Sequence, residues 1–337
     1  MPIRITRFVM PVLVASTVAG CGGGGGTDST DPPAVPVETT LDIAPALGGV
    51  SAGVSVRVYS AATGALLAEG VTQASPLGVA RLTLRDHTGP VVIRVEGGPG
   101  ATYYDERTNT AEPFPAGKVL LSVVPAISAG TTAALGVTPL THAVSATLGV
   151  TSASFSGSSF TPPPSALTAT AVAAKAALVL SYFGLSADSV DIFAAPLVFG
   201  VDMAGRSAAE LKLAGTGNAL SYGALLTALA KTLTGGGDLV DAATTLGTQA
   251  AAGNLGSSGL LATFAARFDD VVSNNLGSGV PVSFKPVITD PGTGATSGGG
   301  STSGSTTSGG STSGTTSDSS TSGGSTSGST TSGGSTS

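Results

Sequence analysis

Apolar and polar residues alternate in the first part of the chain, which is the pattern of half-buried β-strands. The clearest strand alternates valines with more polar residues: Val54, Val56 and Val58 against Ser55, Arg57 and Tyr59. Two further strands follow the same rule: Ala80, Leu82 and Leu84, then Val91, Ile93 and Val95. Thr63-Gly64 makes a turn into a strand over residues 66–73. A closing strand over 118–124 and two edge strands, over 37–43 and 101–106, complete an antiparallel β-sandwich.

From about residue 137 the apolar residues recur every three or four positions, which predicts helices. The first helix covers residues 137–149, with Thr138 as N-cap and Pro139 at the first helical position. The second covers residues 165–183, begins at Ser165 and turns one stripe inward: Leu167, Ala171, Ala174, Leu178 and Tyr182. Stripes this wide favour a globular helical bundle over a two-helix coiled coil.

Four more helices and one strand are predicted after residue 200. The first, over residues 207–214, opens with a Ser207/Glu210 capping box. The next helix is predicted from an apolar stripe: Tyr222, Leu225, Leu226, Leu229 and Leu233. Another is capped by Asp238 and has the stripe Leu239, Ala243, Leu246 and Ala250. The last is capped by Ser258 and turns these residues inward: Leu261, Phe264, Phe268 and Val271. A final strand is predicted from the alternation of Val280, Val282 and Phe284.

The sequence therefore predicts an α+β multidomain chain. A β-sandwich domain occupies residues 37–130, and an alanine-rich helical domain occupies residues 131–290. Residues 291–337 repeat glycine, serine and threonine, and such a tract cannot bury enough apolar surface to order itself. A pentaglycine run opens a flexible tether over residues 21–36.

Residues 1–20 have the features of an export signal. Arg4 and Arg7 precede a short apolar run, and small residues lead to Cys21. A positive start, an apolar middle and small residues before a cut point define such a signal, and the run is too short to span a bilayer. An ordinary secretory leader that ends in a chance cysteine is the alternative interpretation.

The string Val18-Ala19-Gly20-Cys21 resembles the lipobox of bacterial lipoproteins. The resemblance implies cleavage between Gly20 and Cys21, and acylation of the Cys21 sulfur and amine by a diacylglyceryl group and a further fatty-acyl chain such as palmitate. Three chains would hold the protein firmly, since two already suffice. Gly22 in place of aspartate resembles the default for delivery to the outer membrane. The predicted location is thus the outer membrane, on either its cell-surface or its periplasmic face.

Three segments of the sandwich carry a second resemblance: VSVRVYSAATGALLAEGVTQ, VARLTL and GPVVIRVEGG. They resemble carboxypeptidase-regulatory-like or transthyretin-like sandwiches of bacterial surface proteins, which implies a module without catalytic residues of its own. The VTPLT string at residues 137–141 resembles a junction in proteobacterial lipoproteins between a sandwich and an alanine-rich helical half. His142 stands where those relatives have a small polar residue.

Charge and composition exclude several classes of partner. The formal net charge is −6, from 14 basic and 20 acidic residues. Nucleic-acid binding requires clustered lysine and arginine, and adhesion to anionic lipid requires a basic patch, so neither is expected. Cys21 is the single cysteine, so an internal disulfide is excluded and stability must come from packing.

Candidate chemistry is sparse. Two histidines, His87 and His142, are too few for an ordinary zinc site. The chain also has no G-x-S-x-G motif, which would expose a nucleophilic serine on a tight turn. We therefore predict no cofactor, no metal and no catalytic residue. Tyr103, Tyr104 and Asp105 form the most polar aromatic patch and are weak candidates for binding a sugar or peptide, with a solvated edge strand as the alternative.

These observations predict a non-catalytic, lipid-anchored binding, adhesive or structural module with a protein or glycan partner. One alternative is a lipid-anchored hydrolase, or its accessory subunit, with a site between the domains. That alternative requires His142 within hydrogen-bonding reach of a serine and an aspartate in a cleft. Another is a carrier of a small apolar ligand, which requires a sizeable cavity between the helices.

Overall fold

The computed structural model describes residues 35–75, 78–108, 110–197, 218–233, 238–275 and 282–289. All of these residues belong to one compact unit, Met1–Ser297. The predicted leader, Cys21, the 207–214 helix and the 291–337 tail lie outside the described residues, as does all of the tether except Val35 and Pro36. The boundary between residues 130 and 131 stays a prediction.

Two larger sheets and two short hairpins make up the strands of the described residues. One sheet has the order β3-β2-β5-β8, the other has the order β4-β1-β9, and the hairpins are β6-β7 and β10-β11. Their bounds are β1 Glu38–Pro45, β2 Ser55–Ser60, β3 Leu66–Val71, β4 Ala80–Arg85, β5 Gly89–Glu96, β6 Thr102–Asp105, β7 Thr110–Pro113, β8 Val119–Ile127, β9 Thr132–Val137, β10 Phe155–Ser156 and β11 Ser159–Phe160.

One strand pair departs from the antiparallel pattern that the other described pairs follow. β1 runs parallel to β9 and antiparallel to β4. The prediction that the first strand lies at a sheet edge is therefore wrong, because β1 has a partner on each side. Its inward residues Leu41 and Ile43 are fully buried, as expected of a central strand.

The predicted alternation is confirmed for the three clearest strands, whose inward residues meet those of β1 in one core cluster: Leu41, Ile43, Val56, Val58, Ala80, Leu82, Leu84, Val91, Ile93 and Val95. Tyr59 was expected on the more polar face, and it is fully buried instead. The reason is that helices cover the second face of the four-stranded sheet, where Tyr59, Val92 and Leu121 belong to a second cluster.

Five α-helices lie in the described residues: α1 Pro139–Thr147, α2 Ala169–Ser181, α3 Asn218–Thr232, α4 Leu239–Ala251 and α5 Phe264–Asp270. Two predicted caps are confirmed. Thr138 Oγ1 accepts the Thr141 N–H at 3.2 Å, with Pro139 next to it, and Asp238 Oδ1 accepts the Asp241 N–H at 2.8 Å. Both caps satisfy N–H groups that the first turn of a helix leaves without backbone acceptors.

Two predicted helix starts are wrong. α2 begins at Ala169 because Thr168, rather than Ser165, accepts the Ala171 N–H. Of the predicted stripe, Leu167 and Tyr182 are buried, while Ala174 is exposed. The buried residues within α2 itself are Val172, Ala176, Val179 and Leu180. α5 begins at Phe264, and Ser258 belongs to a preceding turn, where its hydroxyl donates to the Leu255 carbonyl. The inward residues predicted there are confirmed: Leu261, Phe264, Phe268 and Val271.

Residues 282–289 follow the helices without forming the predicted strand, and Val280 lies outside the described residues. The segment is held by the helices instead: the Val287 N–H donates to the Phe183 carbonyl at 2.9 Å, and the Ser283 N–H donates to Ser221 Oγ at 2.7 Å. None of the described helices has the length and apolar character to cross a membrane. A mixed α+β chain, with a mainly antiparallel sheet region followed by helices, is thus confirmed.

Candidate functional site

Tyr103 and its neighbours form a largely buried polar cluster. Tyr103 is 1% exposed, meets Phe114 edge to face at 6.3 Å between ring centroids, and accepts the Leu239 N–H on its hydroxyl at 3.1 Å. Burial raises the pKa of the Tyr103 hydroxyl. Because Leu239 is the first residue of α4, this bond satisfies one of the free N–H groups of that helix.

Asp105 and Arg107 complete this Tyr103 cluster, which we define as Tyr103, Asp105 and Arg107. Arg107 Nη2 donates to Asp105 Oδ2 at 2.6 Å, and Arg107 Nη1 donates to the Leu233 carbonyl at 3.2 Å. The hydrogen bond to Asp105 raises the pKa of Arg107. Asp105 is fully buried, so the interpretation as a solvated edge strand is wrong. A ligand role stays a prediction for the half-buried Tyr104, while Tyr103 and Asp105 have partners inside the protein.

His142 lies on α1, where it packs against the four-stranded sheet. It is 6% exposed, and its Nδ1 accepts the Leu121 N–H of β8 at 3.2 Å. Burial lowers the pKa of His142 from 6.5 to about 4, so the ring is neutral at neutral pH. A neutral imidazole has one acceptor and one donor nitrogen. Because Nδ1 is the acceptor, Nε2 carries the proton.

The exposed part of His142 opens on a polar cleft, named here the His142 cleft, which encloses about 230 Å³ between β8, α1 and α4. Its polar lining is Lys118, His142, Thr151, Ser152, Asp241, Thr244 and Thr248. Gly247 lets the two helices approach closely, because an added Cβ would lie 3.0 Å from Ala146 Cβ and 3.4 Å from His142 Cδ2.

Lys118 and Asp241 of the lining form the rim of the His142 cleft, and Asp238 lies beside them. Lys118 Nζ is hydrogen-bonded to Asp241 Oδ1 and lies 3.6 Å from Asp238 Oδ2. The hydrogen bond that Lys118 donates to Asp241 is the main cause that raises the pKa of Lys118, and the charges of both aspartates add to it, so Lys118 stays charged. With one positive and two negative groups, the rim is slightly acidic, which disfavours an anionic ligand.

The His142 cleft can donate and accept hydrogen bonds, and its geometry does not assemble a proton-transfer pair. Within the described residues, His142 has no hydrogen bond to a serine or an aspartate, although Ser152 and Asp241 line the same cleft. A general base requires a free ring lone pair aimed at the nucleophile. Here the lone pair lies on Nδ1 and accepts the Leu121 N–H.

A second cavity lies between helix α3 and the loop after β1, with a mostly apolar lining that includes Leu47, Leu226, Ala230 and Leu233. It encloses about 20 Å³, which is room for about one water molecule. The carrier hypothesis required a sizeable cavity, and this one is too small for an organic ligand.

The sequence missed most residues of the His142 cleft. Asp241, Thr244 and Thr248 follow the helical spacing of three and four residues, so their common face could have been found from the sequence. The apolar stripe of the same helix, which faces the core, is the stronger signal in the sequence. Lys118 carried no signal of its own, because it joins the cleft only through the packing of β8 beside α4.

Comparisons with known proteins give no relative that would assign these residues: no protein-family model matches the chain, and neither a curated protein nor a solved structure matches it. In the part of the chain that the structure describes, no three His, Cys, Asp or Glu side chains are grouped to hold a metal ion. The candidate site is therefore defined by its geometry and its hydrogen-bonding groups.

Proposed function

We propose that this chain is a non-catalytic lipoprotein of the outer membrane, anchored through Cys21, whose folded body acts as a binding, adhesive or structural module. The observation that carries the proposal is Val18-Ala19-Gly20-Cys21, placed after a basic start and a short apolar run. The single thiol of the chain stands where an acylated residue is required. A lipid anchor suits a module that works at a membrane surface.

We also propose that the body is a transthyretin-like or carboxypeptidase-regulatory-like β-sandwich followed by a helical bundle. Side chains of both larger sheets share one core cluster, which supports the sandwich. Residues of α1, α2, α3, α4 and α5 share the second cluster, which supports the bundle. In this arrangement the four-stranded sheet is the middle layer, with apolar residues on both of its faces.

A lipid-anchored hydrolase, or its accessory subunit, is the second candidate. The observation that favours it is that His142, Ser152 and Asp241 line one cleft. It requires the His142 ring to turn and release the Leu121 N–H. A Ser152→Ala variant that lost esterase or glycosidase activity, measured on chromogenic substrates, would support this candidate over the first.

The anchor is tested by comparing the full chain with Cys21→Ser in a Gram-negative host. We expect the unsubstituted chain in the outer-membrane fraction, with a mass that includes acyl chains on the cysteine. Cys21→Ser should move to the soluble periplasmic fraction because it has no acylation site. Ser16→Ala, a small change inside the leader, is the control and should fractionate like the parent.

An unmodified thiol in the mature parent protein, or membrane fractionation of Cys21→Ser, would contradict the proposal. The side of the membrane is read in the same cells by adding protease to intact and to lysed samples. Digestion of the body in intact cells means that it faces outward. Digestion only after lysis means that it faces the periplasm, and the anchor proposal holds in both cases.

A further inference from the structure

We propose that the His142 cleft binds a neutral, hydroxyl-rich ligand, namely a single sugar unit of a glycan. The inference deepens the binding role in the proposed function, and it concerns the folded body rather than the lipid anchor. It starts from a donor on the wall of the cleft, the Nε2–H of His142, which makes no hydrogen bond within the described residues and is open to solvent there. A ligand oxygen that accepts from this donor replaces a hydrogen bond to water, so affinity depends on how many neighbouring groups the same ligand also satisfies.

The direction of that donor follows from the contacts of the ring. Nδ1 accepts the Leu121 N–H, and Cδ2 lies against Gly247 of α4. The remaining edge of the ring, Cε1–Nε2, is therefore the edge that lines the cleft. His142 is 6% exposed, so nearly all of the ring is enclosed and this edge is what a ligand can reach.

The other lining groups supply acceptors beside this donor. Thr244 and Thr248 donate their hydroxyl hydrogens to the carbonyls of Val240 and Thr244, at 2.9 Å and 3.0 Å. Their oxygens therefore keep lone pairs that can accept hydrogen bonds. Asp241 adds a carboxylate acceptor, and Lys118 adds a charged donor at the rim.

A hydroxyl group matches this mixture because it both donates and accepts. A carboxylate only accepts, and it would meet the lone pairs of the threonines and the carboxylate of Asp241. An ammonium group only donates, and it would meet the Nε2–H of His142 and the charge of Lys118. Pockets for drug-sized ligands enclose about 300–1,000 Å³, so a cleft of about 230 Å³ suits a smaller ligand such as one sugar.

The direct test is nuclear magnetic resonance of the full chain, purified in detergent without a histidine tag and labelled with ¹⁵N-histidine. The chain has two histidines, so His87 is an internal reference for His142. The probes are glucose, galactose, mannose and N-acetylglucosamine, at concentrations up to about 100 mM, well above a millimolar dissociation constant. We expect at least one sugar to shift the Nε2 signal of His142 in a saturable way, with His87 unchanged.

Threonine-to-valine variants provide the second readout, because valine keeps the shape of threonine without its hydroxyl. Thr248→Val should weaken sugar binding roughly three- to tenfold through the loss of one hydrogen bond. The control is Thr245→Val, on the same helix but outside the cleft, where the hydroxyl makes the same kind of bond to a carbonyl four residues earlier. This control should bind with unchanged affinity.

Three outcomes would overturn the inference: no sugar shifts His142, acetate or glycine shifts it as strongly as the sugars do, or Thr245→Val weakens binding as much as Thr248→Val. These results are independent of cell fractionation. A chain that is acylated but does not bind sugars refutes the ligand and leaves the anchor. A chain that binds sugars but carries no acyl chain refutes the anchor and leaves the ligand proposal standing.

Discussion

The Tyr103 cluster and the His142 cleft are two polar regions beside the same helix, α4, and they differ in whether their polar groups have partners. In the Tyr103 cluster, the hydroxyl of Tyr103, the carboxylate of Asp105 and the guanidinium of Arg107 all bond within the protein. In the His142 cleft, the Nε2–H of His142 makes no hydrogen bond within the described residues and is open to solvent. The comparison shows that a saturated set of polar groups supports the fold, while an unsaturated one is available to a ligand.

The largest expected effect comes from breaking the ion pair of the Tyr103 cluster. Arg107→Met leaves the fully buried carboxylate of Asp105 without its partner, which should lower the free energy of unfolding by about 3–5 kcal/mol. Urea unfolding followed by circular dichroism measures it. The control is Arg85→Met, which removes an exposed pair with Glu38 and should cost at most about 1 kcal/mol. Equal losses would show that Asp105 is accessible to water.

Acid should destabilise the fold through His142, because the pKa of its ring is about 4 in the folded protein against 6.5 ordinarily. Between these values the unfolded chain binds the proton more readily, so the stability is complete above about pH 6.5 and is lost as the pH falls toward 4. The full loss is about 3 kcal/mol.

His142→Gln isolates this contribution, because glutamine can accept the Leu121 N–H and does not titrate. Urea unfolding of both proteins at about pH 7 and about pH 4 should show a smaller acid loss in the variant, by about 3 kcal/mol. The neighbouring charged groups Lys118, Asp238 and Asp241 are present in both proteins, so their contribution cancels in the difference. The same acid loss in both proteins would refute the role of His142.

Removing the hydroxyl of Tyr103 should have the next largest effect. Tyr103→Phe leaves the buried Leu239 N–H at the start of α4 without an acceptor, so it should lower the free energy of unfolding by about 1–3 kcal/mol. The matched control is Tyr59→Phe, because the buried hydroxyl of Tyr59 has no partner among the described residues. Removing it should be neutral or stabilising. A greater loss of unfolding free energy in Tyr59→Phe than in Tyr103→Phe would mean that the Tyr59 hydroxyl, and not that of Tyr103, makes the stabilising hydrogen bond.

The smallest effect is expected at the threonines of α4. Thr248→Val and Thr245→Val should each change the free energy of unfolding by less than about 0.5 kcal/mol, because both side chains are exposed. Thermal unfolding of the two variants beside the parent measures it. A large loss for Thr248→Val would place that residue with the Tyr103 cluster, as a supporter of the fold.

The strands and two helix starts could be predicted because their causes are local. Alternation fixes which residues of β4 face inward, since neighbouring side chains in a strand point to opposite faces. Thr138 and Asp238 cap helices with their own side chains, three residues from the N–H groups they accept. The start of α2 was missed because two residues, Ser165 and Thr168, are both suitable caps and only one makes the bond.

The candidate site could not be predicted to the same extent because its partners are distant in the chain. Arg107 bonds to the carbonyl of Leu233, and His142 accepts the N–H of Leu121. Tyr103 and Asp105 were interpreted as a ligand-binding patch or a solvated edge strand, since nothing near them in sequence reveals that the Tyr103 hydroxyl bonds to the start of α4. Tyr59 was misplaced for the same reason, because the helices bury a second face of its sheet.

The sequence by itself determined that strands precede helices in this chain, which residues of the clearest strands face inward, and that Cys21 follows a lipobox-like string. These properties depend on side-chain periodicity and on neighbours a few residues apart. The tertiary structure alone decided which polar groups are saturated and which remain open to a ligand. Whether a buried donor finds an acceptor depends on the distance between elements far apart in the chain, and that distance is set by how the layers pack.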